Sequence, residues 1–406
     1  MKFWRTFNRS ILAAVTALFL FAPGSANALE LAFTQAIMNT YSCSSSEYGT
    51  SGTYFNNHGA TGGYGARSTY NSVCRANNTG NTSSSVVTAI HSLRIATAQT
   101  VGMIGSRISA AKVALNTPVG ITAASLADDL SSGELGLAAG NSSNGLGFWV
   151  QGKFATAEND QTVVAADIDV TTAMVGIDKR LSGDRVLIGV ALSHETTTTD
   201  TAFNKGSLDG TGYVISPYLS LQLSDSVNFD ATGGYSTIQY DHYRLDPVTS
   251  EKFTSSGDGE RLFGSAFLSV SNNSDKLMLS AEAGASYSQE DRDAFTETGG
   301  TGQTVSVSAK DTTIGQGMIG AKAALKLGRL TPFVSARGEF DFSKSNEVTV
   351  ATDQQTADGG DFGLRFTAGA DVALTQGLSL YVEGSTVQLR DDYSEYSGAL
   401  RIRAEF

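Results

Sequence analysis

The sequence predicts an all-β fold, a transmembrane antiparallel up-and-down β-barrel of about 12 strands, preceded by an α-helical linker and a low-complexity N-terminal segment. The last eleven residues alternate apolar and polar side chains and end on an aromatic residue, as the closing strand of a membrane barrel does. The first 28 residues have the pattern of a secretory signal. With 17% charged residues and a mean hydropathy of -0.08, the chain is too polar for a helical membrane protein, whereas a barrel lumen accommodates such polarity.

Residues 1–28 are predicted to be a signal peptide. Basic Lys2, Arg5 and Arg9 precede an apolar run, and Ala26 to Ala28 supply the small residues of a cleavage site. The apolar run from 11 to 22 is too short to cross a bilayer of roughly 30 Å as a helix. Export through the general secretion machinery is therefore expected.

Residues 29–83 are rich in Ser, Gly, Asn and Tyr and poor in aliphatic side chains, so they are interpreted as a short passenger segment. The tyrosines could serve as adhesive contacts, or the segment could be a solvated linker. Cys43 and Cys74 are the two cysteines of the chain. An oxidising periplasm favours a disulfide between them, and two free thiols are the alternative.

Residues 84–144 are predicted to form a helical linker or pore plug. Apolar residues recur every three or four positions from 85 to 115, which indicates one face of a helix. Ser83 to Ser85 offer N-caps and Pro118 follows the end. A weaker helical stretch spans 123–138, and either helix could occupy a pore or associate outside it.

Residues 145–406 are predicted to be the barrel. Short and long connections alternate along it, and outer-membrane barrels place short turns in the periplasm and long loops outside. The predicted strands are 146–157, 166–177, 185–197, 210–223, 226–240, 260–272, 276–288, 313–327, 329–341, 360–374, 377–390 and 395–406.

The alternation of side chains assigns one face of each strand to lipid and the other to the lumen. In the last strand the lipid-facing and assembly-signal set is Tyr396, Gly398, Leu400, Ile402, Ala404 and Phe406. The lumen set mixes charges of both signs, and we expect it to hold a helix by polar contacts rather than by apolar packing. It comprises Glu282, Lys322, Arg337, Glu339, Arg365, Asp371, Glu383, Arg401 and Arg403.

This region resembles the autotransporter (type V secretion) β-domain family. The resemblance is carried by Trp149 and Gly152, by the stretches 174–178, 187–192 and 378–381, and by the C-terminal end 398–406. It implies a barrel with a helix in its pore, inserted into the outer membrane of a Gram-negative cell by the barrel-assembly machinery, which reads the aromatic C terminus. The departure from the family pattern is an atypically short passenger region without repeats.

No catalytic or cofactor motif stands out, so an enzyme is not expected. Gly147 to Lys153 has the spacing of a P-loop, but Phe154 occupies the position that needs Ser or Thr. The four histidines lack zinc-ligand spacing, and the loop carboxylates from 241 to 293 lack the spacing of an EF-hand. A formal net charge of -12 argues against binding of nucleic acid.

The sequence therefore predicts a monomeric outer-membrane translocator or anchor, with membrane lipid as its partner, that displays or exports a short N-terminal passenger. Two alternatives remain open at this point. One is a surface adhesin that acts through the N-terminal segment and the extracellular loops. The other is a cargo-free structural or diffusion barrel.

Overall fold

The computed structural model describes residues 88–115, 146–160, 165–181, 185–202, 204–245, 251–274, 276–345, 360–375 and 378–405. The predicted signal peptide, the passenger segment with Cys43 and Cys74, the helical stretch 123–138 and Phe406 lie outside these residues.

One helix and fourteen strands make up the described part of the chain. The helix α1 spans Ala89–Leu115. The strands are β1 Leu146–Asn159, β2 Ala166–Leu181, β3 Val186–Thr201, β4 Gly206–Gln222, β5 Val227–Leu245, β6 Lys252–Asn273, β7 Leu277–Arg292, β8 Phe295–Gly299, β9 Thr304–Val307, β10 Lys310–Leu325, β11 Leu330–Ser345, β12 Phe362–Ala373, β13 Leu378–Arg390 and β14 Tyr393–Glu405.

Among the described residues, twelve antiparallel strands close into a barrel, which confirms the predicted fold class. β1 pairs with β14 from Gly147 opposite Glu405 to Asn159 opposite Tyr393, and this pairing closes the sheet. β7 pairs directly with β10, so β8 and β9 form a separate hairpin in the connection between them. Closure leaves the twelve wall strands without a free edge, as a lipid environment requires.

The strands extend further on the side of the long connections than the sequence predicts. β6 begins at Lys252 rather than at 260, and β8 and β9 lie within a stretch, 289–312, that was expected to be a loop. Residues 255–260 are rich in Ser, Gly and Asp, which disfavour strands, but each pairs with a residue of β5. Cross-strand pairing therefore overrides local propensity here.

The outer surface carries the apolar side chains. In β14, Leu400 and Ile402 are 49% and 50% exposed, whereas Arg401 between them is 1% exposed and points inward. The same alternation runs along β1, where Phe148 is 46% exposed and Trp149 is fully buried. Phe148 and the half-buried Phe154 are thus on the outward face of this strand, whereas Trp149 faces the lumen.

Glycines make room for large inward side chains. A Cβ at Gly176 would overlap the ring of Trp149, and a Cβ at Gly189 would overlap the ring of Tyr218. Each ring therefore lies flat over the neighbouring strand. These two aromatic side chains form part of the wall against which α1 packs.

Candidate functional site

Helix α1 lies inside the barrel, and most of its circumference is buried. Its side chains at Ile95, Met103, Ile104 and Ile108 are 0–2% exposed, and so is Arg107. At about 1.5 Å per residue, its 27 residues span roughly 40 Å, enough to traverse the barrel. The helix that occupies the pore is therefore the stretch predicted over 85–115. It begins at Ala89, so Thr88 precedes it directly, whereas the expected caps were Ser83 to Ser85.

Apolar packing also holds the helix, contrary to the expectation of polar contacts rather than apolar packing. Met103, Ile104 and Ile108 form a buried cluster with Trp149 and Met174. A second cluster joins Ile95 and Ala96 to side chains of β1, β2 and β13. Smaller clusters join Ile90 and Leu93 to Ile314 of β10, and Val101 to Val214 and Phe263, so apolar contacts reach the helix from several sides of the wall.

A buried ion pair links the helix to the wall near the short-turn end of the barrel. Arg107 donates from Nε and Nη2 to the two carboxylate oxygens of Asp178, at 2.7 and 2.6 Å. Tyr218 donates its hydroxyl to the same carboxylate at 2.7 Å, and Trp149 Nε1 donates to the Tyr218 oxygen at 3.0 Å. These hydrogen bonds connect Arg107, Asp178, Tyr218 and Trp149 in series, and each one orients the next side chain.

Three further guanidinium groups surround the C-terminal half of α1. Arg403 donates to the backbone carbonyl of Ala110 and Arg180 to that of Ala111, both at 3.2 Å. Arg401 donates to Ser106 Oγ at 2.7 Å. Positive charge at this position is favourable because the C-terminal end of a helix carries partial negative charge.

A second ion pair lies near the long-loop end. Arg94 donates to Asp341 at 2.7 Å, and both side chains are at most 1% exposed. Asp341 also accepts from Arg390, and His91 stacks on the ring of Tyr393 with centroids 5.4 Å apart. Arg94 and Arg107 therefore contact opposite ends of the wall, and the N-terminal end of α1 points toward the long loops.

Polar contacts also tie the middle of the helix to the wall. Gln99 donates to the carbonyl of Val170 at 3.1 Å and accepts from Thr172 at 2.7 Å. Thr97 donates to Ser288 Oγ at 3.0 Å. These bonds satisfy amide and hydroxyl groups that would be costly to bury without partners.

Buried charges of the wall form networks among themselves. Arg261 bridges Glu195 at 3.0 Å and Glu290 at 2.8 Å, and Arg365 bridges Glu339 and Glu395, both at 2.7 Å. Such groups are expensive to remove from water unless each is paired. The Arg261 network fills the lumen toward the long-loop end, whereas the Arg365 network lines a cavity beside α1.

The nine charges singled out in the sequence all lie on the inward face. Arg337 donates to Glu282 at 3.0 Å, Lys153 contacts Glu383 at 3.0 Å, and Lys322 Nζ lies 3.8 Å from the centroid of the Phe333 ring. Asp371 lies 3.7 Å from Arg401, while Glu339, Arg365 and Arg403 make the contacts given above. Two of the nine, Arg401 and Arg403, contact the helix.

Sequence reasoning missed the helix-binding carboxylates. Asp178 and Asp341 lie on inward faces by the same alternation that selected the other charges, since Ile177 and Phe342 beside them face outward. Arg94 and Arg107 are arginines within a helix whose neighbours are mostly apolar or small. The arginines of the helix could therefore have been matched with these inward aspartates in the sequence, which would have indicated the pairs Arg94–Asp341 and Arg107–Asp178.

The hairpin β8–β9 carries a further charged cluster, outside the membrane-spanning part of the barrel. Arg244 donates to Glu297 at 2.7 Å, and His242 Nε2 lies 3.4 Å from the same carboxylate. Burial alone would raise the pKa of Glu297, but hydrogen bonds from His242 and Arg244 and the nearby positive charge lower it overall. The carboxylate is therefore held ionised where the hairpin meets β5.

Within the described ranges, no group of three or more His, Cys, Asp or Glu side chains is arranged to hold a metal ion. No helix in the described part of the chain is long and apolar enough to cross a membrane. Inside the barrel, an ion-paired helix occupies the pore.

A model of the autotransporter β-domain family matches residues 148–385, more than half of the chain. The chain belongs to the autotransporter β-domain family. Among solved structures, the translocator domain of the autotransporter NalP from Neisseria meningitidis is similar with a TM-score of 0.57 and 18% identity, over 77% of this chain and 98% of that one. The β-domain of the Bordetella autotransporter BrkA is similar with a TM-score of 0.51 and 17% identity, over 64% of this chain and 100% of that one. Comparison with curated protein sequences finds no match.

Membership of the autotransporter β-domain family gives the barrel its place and its general role. It is an outer-membrane translocator domain of a Gram-negative cell, and its family acts in transport and anchoring rather than in catalysis. Because the two solved structures are only 18% and 17% identical to this chain, they support its fold alone. The contacts of α1 described above are taken from the structure of this chain.

Proposed function

We propose that this β-domain carries the segment that precedes α1 to the cell surface and keeps it anchored there. The observation that supports this is the direction of the helix. Arg94, near its N-terminal end, pairs with Asp341 at the long-loop end, and Arg107 pairs with Asp178 at the short-turn end. Because long loops face the outside in such barrels, a chain that precedes Ala89 leaves the pore on the outer side.

The contacts of the helix also supply the anchor. Among the described residues, two ion pairs, both buried, and four apolar clusters connect α1 to the wall. Withdrawal would expose the apolar side chains of these clusters and separate Asp178 from its arginine partner, so the docked helix resists it. A passenger joined covalently to the helix therefore stays attached to the barrel.

The rest of the chain divides in accordance with this role. In our proposal, residues 1–28 direct export, 29–83 form the displayed passenger, 84–144 contain the plug and the return to the barrel, and 145–406 form the wall. A disulfide between Cys43 and Cys74 would close a loop within the displayed part. Faster migration on a non-reducing gel, lost in the Cys43→Ser variant, is the expected sign of that bond.

Protease accessibility of inserted tags on intact cells tests the proposal. One tag is placed within 29–83, a second in the turn between β4 and β5 after Ser224, and a third in the β8–β9 turn after Thr301. We expect the first and third tags to be cleaved on intact cells, and the second to be cleaved when the outer membrane is opened. Protection of the first tag together with the second would contradict display and favour a cargo-free barrel.

A further inference from the structure

The inward side chains of β7 change from accessible to buried along the strand. Ser286, Ser288 and Glu290, toward the long-loop end, are at most 7% exposed. Ser280 and Glu282, toward the short-turn end, are partly accessible. The lumen in front of this strand is therefore filled in its outer half and open in its inner half.

Neighbouring strands show the same gradient. In β6, Arg261 and Phe263 are buried, whereas Ser265 and Ser269 are partly accessible. In β10, Gln316 is buried and Met318 is partly accessible, although Ala324 near the short turn is buried against Phe333 and Tyr381. By contrast, every inward residue of β1 from Gly147 to Asn159 is buried.

The helix presents small residues to the open half. Ala98, Gly102, Gly105 and Ser109 line one cavity of about 230 Å³ together with polar side chains of β5, β6, β7 and β10 to β13. A Cβ placed at Gly105 would meet nothing within 4 Å. A cavity of this size, which charged side chains also line, has room for on the order of ten water molecules. We call it the vestibule.

The outer end of the vestibule is closed by contacts that cross the lumen. Thr97 donates to Ser288, Arg94 pairs with Asp341, and Arg261 joins Glu195 of β3 to Glu290 of β7. These groups are 0–4% exposed, and we call this set the outer seal. The vestibule reaches this seal at Ala98 on the helix and at Gln316 on the wall, where Gln316 donates to Asp341 at 2.8 Å.

We propose that the pore is a half-channel, in which the vestibule admits water and small hydrated solutes from the periplasmic side as far as the outer seal. The helix thus closes the pore over its outer half alone, and its inner half stands beside an open space. Ion-paired side chains, Lys153 with Glu383 and Arg337 with Glu282, face this space together with apolar ones such as Phe333. This inference does not depend on whether residues 29–83 are displayed.

Thiol reactivity in the full chain tests the half-channel. In a Cys43→Ser, Cys74→Ser background, Ser269→Cys places a thiol in the vestibule and Ser288→Cys places one in the outer seal. The probe is 2-sulfonatoethyl methanethiosulfonate, a small charged reagent, applied to the purified barrel. We expect Ser269→Cys to react at least about tenfold faster than Ser288→Cys, and adding Arg94→Ala to remove most of that difference. Equal slow rates would mean that the helix fills the whole pore, and equal fast rates would mean that no seal exists; either result overturns the proposal.

Conductance in planar bilayers provides a second measurement that does not need a cysteine in the seal. Gly105→Leu adds a side chain within the vestibule, and Arg94→Ala weakens the outer seal. A half-channel predicts no change in the basal current for Gly105→Leu and an increased current for Arg94→Ala. A reduced current for Gly105→Leu would instead reveal a continuous passage beside the helix and refute the half-channel.

Discussion

The ion pair between Arg107 and Asp178 offers a direct measure of how firmly the helix is held. In the Arg107→Ala variant, Asp178 keeps its bond from Tyr218 but loses its cationic partner while remaining 3% exposed. Breaking a buried pair by removing one partner costs about 3–5 kcal/mol. Because Asp178 keeps the hydrogen bond from Tyr218, we expect a value near the lower end of this range.

This energy converts into an expected change in pore opening. A loss of about 3 kcal/mol shifts the balance between docked and undocked helix by roughly two orders of magnitude. Single-channel recording in planar bilayers would show it as a rise in open probability, since an undocked helix leaves the lumen free. Ser109→Ala is the matched control, because Ser109 is exposed on the helix face that looks into the vestibule.

A double variant separates the ion pair from a general loss of packing. Asp178→Asn removes the charge but keeps an acceptor for the Tyr218 hydroxyl, so Arg107→Ala with Asp178→Asn should open less often than Arg107→Ala alone. The folded state is checked by the gel mobility of unheated samples. Equal open probabilities for Arg107→Ala and Ser109→Ala, or strict additivity in the double variant, would refute the reasoning.

Three further predictions concern the wall, the hairpin and the end of the chain. Gly189→Ala should lower the stability of the folded barrel by about 1–3 kcal/mol, because the added Cβ would overlap the Tyr218 ring. Gly152→Ala is the control and should leave the stability unchanged, since a Cβ there meets nothing within 4 Å. The temperature at which the folded gel band disappears measures both variants. Glu297 has a lowered pKa, so its contribution to the hairpin is complete above its unfolded value near 4.5 and is lost as the pH falls through the lower folded pKa. Proteolysis of the β8–β9 hairpin should accordingly increase on acidification, and Glu297→Gln should remove that pH dependence. Phe406→Ser should reduce accumulation in the outer membrane if the terminal aromatic is read during assembly, and unchanged amounts in membrane fractions would reject that role.

The barrel wall could be predicted from the sequence because its signal is local. Along each strand, outward apolar and inward side chains alternate with period two. In β14, for example, Leu400 and Ile402 face outward and Arg401 between them faces the lumen. The limits of β6 and the β8–β9 hairpin could not be predicted in this way. They depend on pairing with partners far along the chain, such as Phe253 with Gly299.

The contacts of the helix were harder to anticipate, because a helix inside a barrel does not have a single solvent face. Its apolar positions were expected to form one stripe, yet Ile95 and Met103, outside that stripe, are as buried as Ile104. A wall that surrounds the helix selects for polar and apolar contacts at every angle. The spacing of apolar residues identifies such a helix in the sequence. The wall residues that it contacts depend on how the strands are aligned with one another, which that spacing does not give.

The orientation of the helix is determined by which groups the wall offers at each end. Arg94 and Arg107 could in principle exchange their aspartate partners if the helix were reversed, so the two ion pairs alone do not set its direction. Arg180 and Arg403 do, because they donate to the carbonyls of Ala111 and Ala110, near the C-terminal end. In a reversed helix these guanidinium groups would face the amide end, where donors would meet donors and positive charge would meet the positive end of the helix dipole. The arginines at the short-turn end of the wall therefore direct the N-terminal end of the helix toward the long-loop end of the barrel.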